Sequence, residues 1–432
     1  MFYAPESLPK MSSGCDADEL VVWVKSSAIP LSRFPFNRTP VSPRINPMIY
    51  LDNNATTQPD SAVRDAMLPF LSNHYGNPSS THRFGQESRQ AIEEARVQIA
   101  RLVGCETREI IFTSGGTESD NAAVMGLLAA RAPRKLIVSS AVEHSAIREP
   151  LTSLAKTGFE IQRISVNQQG ELAIDQLEQI LASRGGETAL VTIMWANNET
   201  GVLFDISAIG ALCRKQGVPF HVDAVQAVGK VPVNLRGVPI DLMSISAHKF
   251  HGPKGAGALV VRRGTRWQPW IRGGPQELDR RGGTENVPGV VGMGRAAQLA
   301  ASALADDATW PRVTAMRDRL EAGILEKVSD THLIGTPNAR VPNTANIAFA
   351  GLEAEAILLL LSEHDICASA GAACSSGSLE PSPILRAMGV DDKIGHGAVR
   401  FSLSRFNTDA EIAETLDILP RIIARLRQTL PV

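Results

Sequence analysis

Four short segments hold residues whose types and spacing could do chemistry. In SGGTESDN (114–121) a glycine-rich turn follows the apolar run EIIFTS and opens a helical pattern. Backbone N–H groups and the helix dipole favour an anion at such a start, so Gly116 and Thr117 are candidates to face a phosphate. The same turn would also serve as an ordinary strand-to-helix connection. In HVDAVQ (221–226) Asp223 ends a strand-like run, at the edge where open α/β sheets bind ligands, and Gln226 follows closely. An isolated Asp at that place is also a common helix cap. In SISAHKFHGPKG (244–255) Lys249 comes directly after the run DLMSIS, flanked by Ser246 and His248. The apolar strand before it argues for a held lysine rather than a solvated one. In SAGAACSSGSLEPS (369–382) Cys374 sits among Gly, Ala and Ser, in a loop with almost nothing bulky to pack.

A phosphate cradle, a strand-end carboxylate and a rigidly placed lysine make up the set that pyridoxal 5′-phosphate requires. The lysine carries the cofactor, and the carboxylate keeps the ring nitrogen protonated so that the ring accepts electrons. On this reading Gln226 bonds the phenolic oxygen, and Ser246 and His248 join the phosphate site. A thiol on a loop of small residues suits a sulfur carrier, which has to visit the cofactor and then a partner, and its attack requires the thiolate. His248 and His251 are a poor metal pair, with no thiol or carboxylate beside them.

These residues need a scaffold, and the apolar runs supply one. EIIFTS (109–114), KLIVSS (135–140), ALVTIMWA (189–196), PFHVDA (219–224), DLMSIS (241–246) and ALVVRR (258–263) are continuously apolar, as in strands buried on both faces of a parallel sheet. Helical stretches such as 118–131 and 206–216 alternate with them, the rhythm of an α/β domain. After about residue 300 the pattern becomes α+β: a helix over 311–328, then TANIAF, the Cys374 loop, VRFSLS and a final helix from Asp409. The organisation expected is an N-terminal extension without regular structure (1–47), a large domain (48–300), its N-terminal part open to joining the small one, and a small C-terminal domain (301–432).

Composition narrows the class further. The chain has 432 residues, 44% of them hydrophobic and 20% charged, and a formal charge of −2, which gives no reason to expect nucleic acid or membrane as a partner. No secretory signal is evident. Five cysteines, Cys15, Cys105, Cys213, Cys367 and Cys374, are too few for a disulfide framework in a chain of this size, so a reducing cytoplasm is expected. Cys367, in HDIC, reads as a small buried apolar residue.

Together the segments resemble the NifS/IscS-type cysteine desulfurases, a class V branch of the fold-type-I pyridoxal-phosphate enzymes. The resemblance runs from YLDNNATT (50–57) through GNPSSTHRFG (76–85), EHSAI (143–147), ANNETG (196–201), HVDAVQAVGK (221–230), SAHKFHGPKGAGAL (246–259), RRGGTENVPG (280–289) and CSSGSLEPS (374–382) to VRFSLSRFNT (399–408). It implies a fold-type-I transferase with a large, mostly parallel sheet and a smaller α+β domain. It implies that Lys249 carries the cofactor, that His144 stacks on the ring and handles protons, and that Asp223 and Gln226 meet the ring nitrogen and phenolic oxygen. Asn198 would touch cofactor and substrate, Thr117, Ser246 and His248 the phosphate, and Arg400 the substrate carboxylate. Thr284 would reach the phosphate from the second subunit of a homodimer. Cys374 would take sulfur from L-cysteine as a persulfide, leave alanine, and pass the sulfur to an iron–sulfur scaffold or other acceptor protein. Its persulfide would also serve as a transient iron–sulfur ligand. Gly377 follows the nitrogenase-linked NifS branch rather than the housekeeping one. Ala370 and Ala372 stand where the family carries serines, removing two hydroxyls from the approach to the thiol. The readings kept beside this one are a housekeeping sulfur donor, a selenocysteine lyase, an aminotransferase that has no use for Cys374, and a scaffold without catalysis.

Overall fold

The structure, a computed structural model, describes residues 21–24, 27–30, 48–370 and 382–429. The chain divides into two units, 1–47 and 48–432. In the first, β1 (Val21–Val24) pairs antiparallel with β2 (Ser27–Pro30), so this stretch has regular structure where the sequence, lacking a period, gave little sign of it.

The second unit opens with β3 (Ile49–Tyr50) and is dominated by a seven-stranded sheet. Its strands are β4 (Ile110–Thr113), β5 (Leu136–Ser140), β6 (Glu160–Ile164), β7 (Thr188–Thr192), β8 (Phe220–Asp223), β9 (Leu242–Ser246) and β10 (Gly257–Val261), in the order β4-β10-β9-β8-β7-β5-β6. All run parallel except β10, which is antiparallel to both neighbours. This corrects the reading of ALVVRR as one more parallel strand. The connection from β9, residues 247–256, is too short to contain the crossover that a parallel return demands. The continuously apolar strands are buried along their whole length, whereas the unforeseen edge strand β6 shows Glu160 and Arg163 to solvent, which weakens its apolar signal.

Helices cover both faces. Arg83–Val103 and Val287–Ala305 close one core, with Ile92, Ile99, Val290 and Met293 against the sheet. Gly116–Arg131 and Ser145–Ala155 close the other, through Leu127, Ile147 and Leu151. A second, antiparallel sheet contains β11 (Thr331–Leu333), β12 (Thr344–Phe349), β14 (Ser369–Ala370) and β15 (Ala398–Ser402), in the order β11-β12-β15-β14. β13 (Ile366–Cys367) pairs in parallel with β3. Ile49 and Leu51 therefore belong to the core of this C-terminal sheet, beside Leu320, Ile357 and Leu419 from the helices Thr309–Lys327, Ala354–Glu363 and Asp409–Thr429. Among the described residues no helix is long and apolar enough to cross a membrane.

Candidate active site

Between the ends of β8 and β9, the start of the helix Gly116–Arg131 and the strand β15 lies a cavity of about 680 Å³. Its lining includes Gly116, Thr117, His144, Asn198 and Asp223. It also includes Gln226, Ser246, His248, Lys249 and Arg400, so ten positions singled out in the sequence converge on one space. Thr284 is exposed and does not line it. Cys374 lies outside the described residues, with Ala372 and Gly377. The chain on either side of that segment is anchored at the cavity. Ser369 is the register partner of Arg400, Ser382 donates to Glu199 Oε2 at 2.6 Å, and Pro383 and Ile384 line the space.

One end of the cavity is built for an anion. The helix beginning at Gly116 has Gly115 before it, which offers no side chain to the first N–H groups. That leaves the helix start to a ligand, and sixteen residues of aligned peptide dipoles favour a negative one. Ser246 ends β9 beside this turn, and a Cβ on Gly257 would come within 2.6 Å of the Gly115 Cα, so the strand β10 seats the turn only if residue 257 is glycine. His248 Nδ1 lies 3.2 Å from Thr56 Oγ1, and burial pushes its ring down to about 4, with Lys249 adding to the shift.

At the middle of the cavity Lys249 closes a short turn directly after β9, and its Nζ donates to the carbonyls of Asn54 at 2.6 Å and Ala55 at 2.8 Å. Asp223 ends β8 with Oδ1 accepting the N–H of Val225 at 2.9 Å. Burial raises its carboxyl above the usual range, against the opposing pull of His144 and Lys249. His144 caps the helix Ser145–Ala155: its Nδ1 accepts the N–H of Ala146 at 3.1 Å. Burial lowers its pKa, so the neutral ring is favoured, and the capping bond leaves the proton on Nε2. At the far end Arg400, in β15, donates from Nη2 to Asp52 Oδ1 and from Nη1 to the carbonyl of Asn198, each at 2.9 Å. Its Nε and the Oδ1 of Asn198 are buried without a partner among the described residues.

Residues 49–414 match the class-V aminotransferase family. The chain belongs to that family. It is 52% identical over 89% of its length to cysteine desulfurase 2 of Trichormus variabilis, covering 95% of that protein. It is 47% identical over 89% of its length to the cysteine desulfurase NifS of Azotobacter vinelandii, covering 94% of it. A solved NifS-like protein superposes with a TM-score of 0.82 at 35% identity, over 88% of this chain and 100% of that one. The fold is thus the fold-type-I architecture expected from the sequence, and the cofactor of this class-V chain is pyridoxal phosphate.

The cavity of this class-V protein fits that cofactor at three points. The uncapped helix start would suit the phosphate, Asp223 in the lining would suit the ring, and Asn198 Oδ1 and Arg400 Nε, without a hydrogen-bond partner among the described residues, are polar atoms that burial alone would leave unsatisfied. Sequence reasoning missed four supports. Asn54 is a hub: its side chain and carbonyl accept from Lys230, Lys249, Gln226 and Asn343, and its amide nitrogen donates to Thr344 Oγ1. Asp52 holds Arg400. Asp120 and Glu143 are buried carboxyls in the cavity wall, each with one oxygen lacking a hydrogen-bond partner among the described residues, that of Asp120 lying 3.6 Å from His221 Nε2. Asp120 is raised well above its usual value by burial and by Asp223, and Glu143 is pushed up to about 8 by burial. YLDNNATT and EHSAI were both visible as motifs, but nothing in them says which polar residue supports which. Behind Asp223, the buried His221 bonds Thr192 Oγ1 and Ser244 Oγ, each at 2.9 Å, and burial pushes its ring down to about 3. Among the described residues no cluster of His, Cys, Asp and Glu is able to hold a metal ion.

Proposed function

We propose that this chain takes sulfur from L-cysteine, releasing L-alanine and retaining the sulfur as a persulfide on Cys374. The observation that carries the proposal is the meeting of Lys249, Asp223, His144 and Arg400 in one cavity, with the chain anchored there on both sides of the segment that contains Cys374. Bound pyridoxal phosphate supplies an electron sink for the charge that develops when the substrate's α-proton leaves.

The residues divide the work. Thr117, Ser246 and His248, with the open N–H groups after Gly115, hold the phosphate. Asp223 would keep the ring nitrogen protonated: burial raises this carboxyl, and beside a cationic ring nitrogen it would be stabilised as a carboxylate. Gln226 meets the ring oxygen. Arg400 clamps the substrate carboxylate, already oriented by Asp52 and the Asn198 carbonyl. Lys249 and the neutral His144 take the α-proton and return a proton to the carbon skeleton. The Cys374 thiolate attacks the substrate sulfur. A sulfur–sulfur bond forms as the Cβ–sulfur bond breaks, its electron pair stays with the carbon fragment, and protonation there gives alanine. The balance is one cysteine and one enzyme thiol to one alanine and one enzyme persulfide.

Further calls belong to the same reading. A homodimer places Thr284 of a second copy at the phosphate. The persulfide passes to an iron–sulfur scaffold or other acceptor in the cytoplasm and serves in passing as an iron–sulfur ligand, with nitrogenase cluster maturation favoured by Gly377. The test is alanine release from L-cysteine by the wild type and by Cys374→Ala on the same samples. The variant is expected to bind pyridoxal phosphate normally and to lose alanine formation by several orders of magnitude. Near-normal alanine from Cys374→Ala would falsify the assignment of the sulfur acceptor.

A further inference from the structure

Lys230 is a buried lysine, and among the described residues its recorded partners are two amide oxygens rather than a carboxylate. Its Nζ donates to Gln226 Oε1 at 2.5 Å and to Asn54 Oδ1 at 2.9 Å. The other end of the Gln226 amide faces the main-chain carbonyl of Asn54 at 2.9 Å. A carbonyl only accepts, so the Gln226 atom that meets it is nitrogen, and the atom that meets Lys230 is oxygen. Both contacts therefore force one orientation of an amide that would otherwise be free to turn over. Gln226 lines the cavity, and in this orientation the group it has left to offer there is its second N–H.

We infer that Lys230 is a positioning residue that holds Gln226 as a hydrogen-bond donor toward the cavity, and so favours a cofactor whose ring oxygen is ionised. This rests on the reading that pyridoxal phosphate occupies the cavity. Without Lys230 the Gln226 oxygen is buried and unpaired, and turning the amide to relieve that places an oxygen against the cofactor's anionic oxygen. The site is costly to build. Burial holds Lys230 well below the usual lysine range, and Lys249 and Arg400 push the same way. A lysine with only a packing role gains nothing from such a place, since an apolar side chain of the same volume fills it without desolvating an amine.

The experiment measures the affinity of the apo-protein for pyridoxal phosphate in the wild type, Lys230→Met, Gln226→Leu and the double variant. Lys230→Met is expected to weaken binding about 5- to 10-fold, the size of one hydrogen bond. In the Gln226→Leu background the same change is expected to do almost nothing, because the lysine acts through the amide. The pH midpoint of the bound cofactor's visible band should also move in Lys230→Met, a readout that a loss of packing leaves in place. Equal losses in both backgrounds, or an unmoved midpoint, overturn the inference. If Lys230→Met does not fold, Gln226→Glu decides: its carboxylate pairs with Lys230 but has no N–H, so it should bind no better than Gln226→Leu, and wild-type affinity overturns the inference. If the wild type itself does not bind pyridoxal phosphate, or binds it without need of Lys249, the cofactor reading has failed instead.

Discussion

The cavity has two walls that hold comparable chemistry but draw their supports from different distances along the chain. On the seven-stranded sheet, Gly116, Asp223 and Lys249 each sit within a few residues of a strand end, and the strand itself aims them. On the four-stranded sheet, Arg400 is aimed by Asp52 and by Asn198, and Asn54 is fixed by Thr344 and Ser402. The first wall is local geometry on a rigid core. The second exists only after β3, β12 and β15 have come together. Damage to the first should remove chemistry and leave stability largely intact, and damage to the second should affect binding and stability together.

The sharpest break in that comparison is Lys249→Ala. It removes the group expected to carry the cofactor, and its loss costs two hydrogen bonds to the carbonyls of Asn54 and Ala55. Turnover should fall by several orders of magnitude and the borohydride-reducible adduct with pyridoxal phosphate should vanish, while the melting temperature moves little. A variant that still forms the reducible adduct would show that another amine holds the cofactor.

The same contrast explains what was legible in the sequence. Six strands of the large sheet were visible because burial on both faces makes them continuously apolar. β6 was not, because Glu160 and Arg163 at the sheet edge interrupt the run. The direction of β10 was misread because an apolar run carries no sign of direction; only the short connection after Lys249 does. The residues at strand ends could be picked out one by one, since a strand followed by a charged residue and glycine is a local pattern. Asn54, Asp52 and Lys230 could not. Asn54 reads as one of a run of small polar residues, and its importance comes from partners such as Gln226, Lys230, Thr344 and Ser402, far away in sequence. Cys374 was singled out by composition, in a run of Gly, Ala and Ser, and by resemblance, and lies outside the described residues.

On the second wall, Arg400→Ala should raise the KM for L-cysteine about 10- to 100-fold, the scale of a charge-assisted pair, with a smaller effect on kcat. It should also lower stability, because Asp52 and the Asn198 carbonyl lose their donor. Arg400→Lys should recover little of the binding, since one ammonium cannot replace the planar fork that reaches Asp52, Asn198 and substrate together. Steady-state kinetics and thermal melts on the same preparations check both halves. A fall in melting temperature with an unchanged KM would make Arg400 a purely structural residue and leave the carboxylate clamp to be found elsewhere.

The smallest effect expected concerns Glu143, a buried carboxyl in the cavity lining. Its Oε1 accepts the Ser140 hydroxyl and the N–H of Met194 at 3.1 Å, and its Oε2 is buried without a partner among the described residues. Burial pushes the carboxyl up to about 8, so the folded protein keeps a proton there that the unfolded chain releases near pH 4.5. A raised folded pKa contributes stability that is fully present below about pH 4.5 and is lost as pH rises through about 8. Glu143→Gln keeps the acceptor at Oε1 and does not titrate. Relative to the wild type it should be neutral or slightly destabilised at pH 5, and should gain on the order of 2 °C in melting temperature by pH 8.5. His248, pushed down to about 4, works in the other direction and at the other end of the scale: its contribution is lost as pH falls from about 6.5 through 4, so it leaves the alkaline limb to Glu143. The measurement is a pair of melting curves for apo-protein at each pH. A difference between wild type and variant that stays constant from pH 5 to 8.5 would mean that Glu143 does not titrate in that window. The partnerless oxygen would then belong to a carboxylate that the cavity stabilises by some group other than those described.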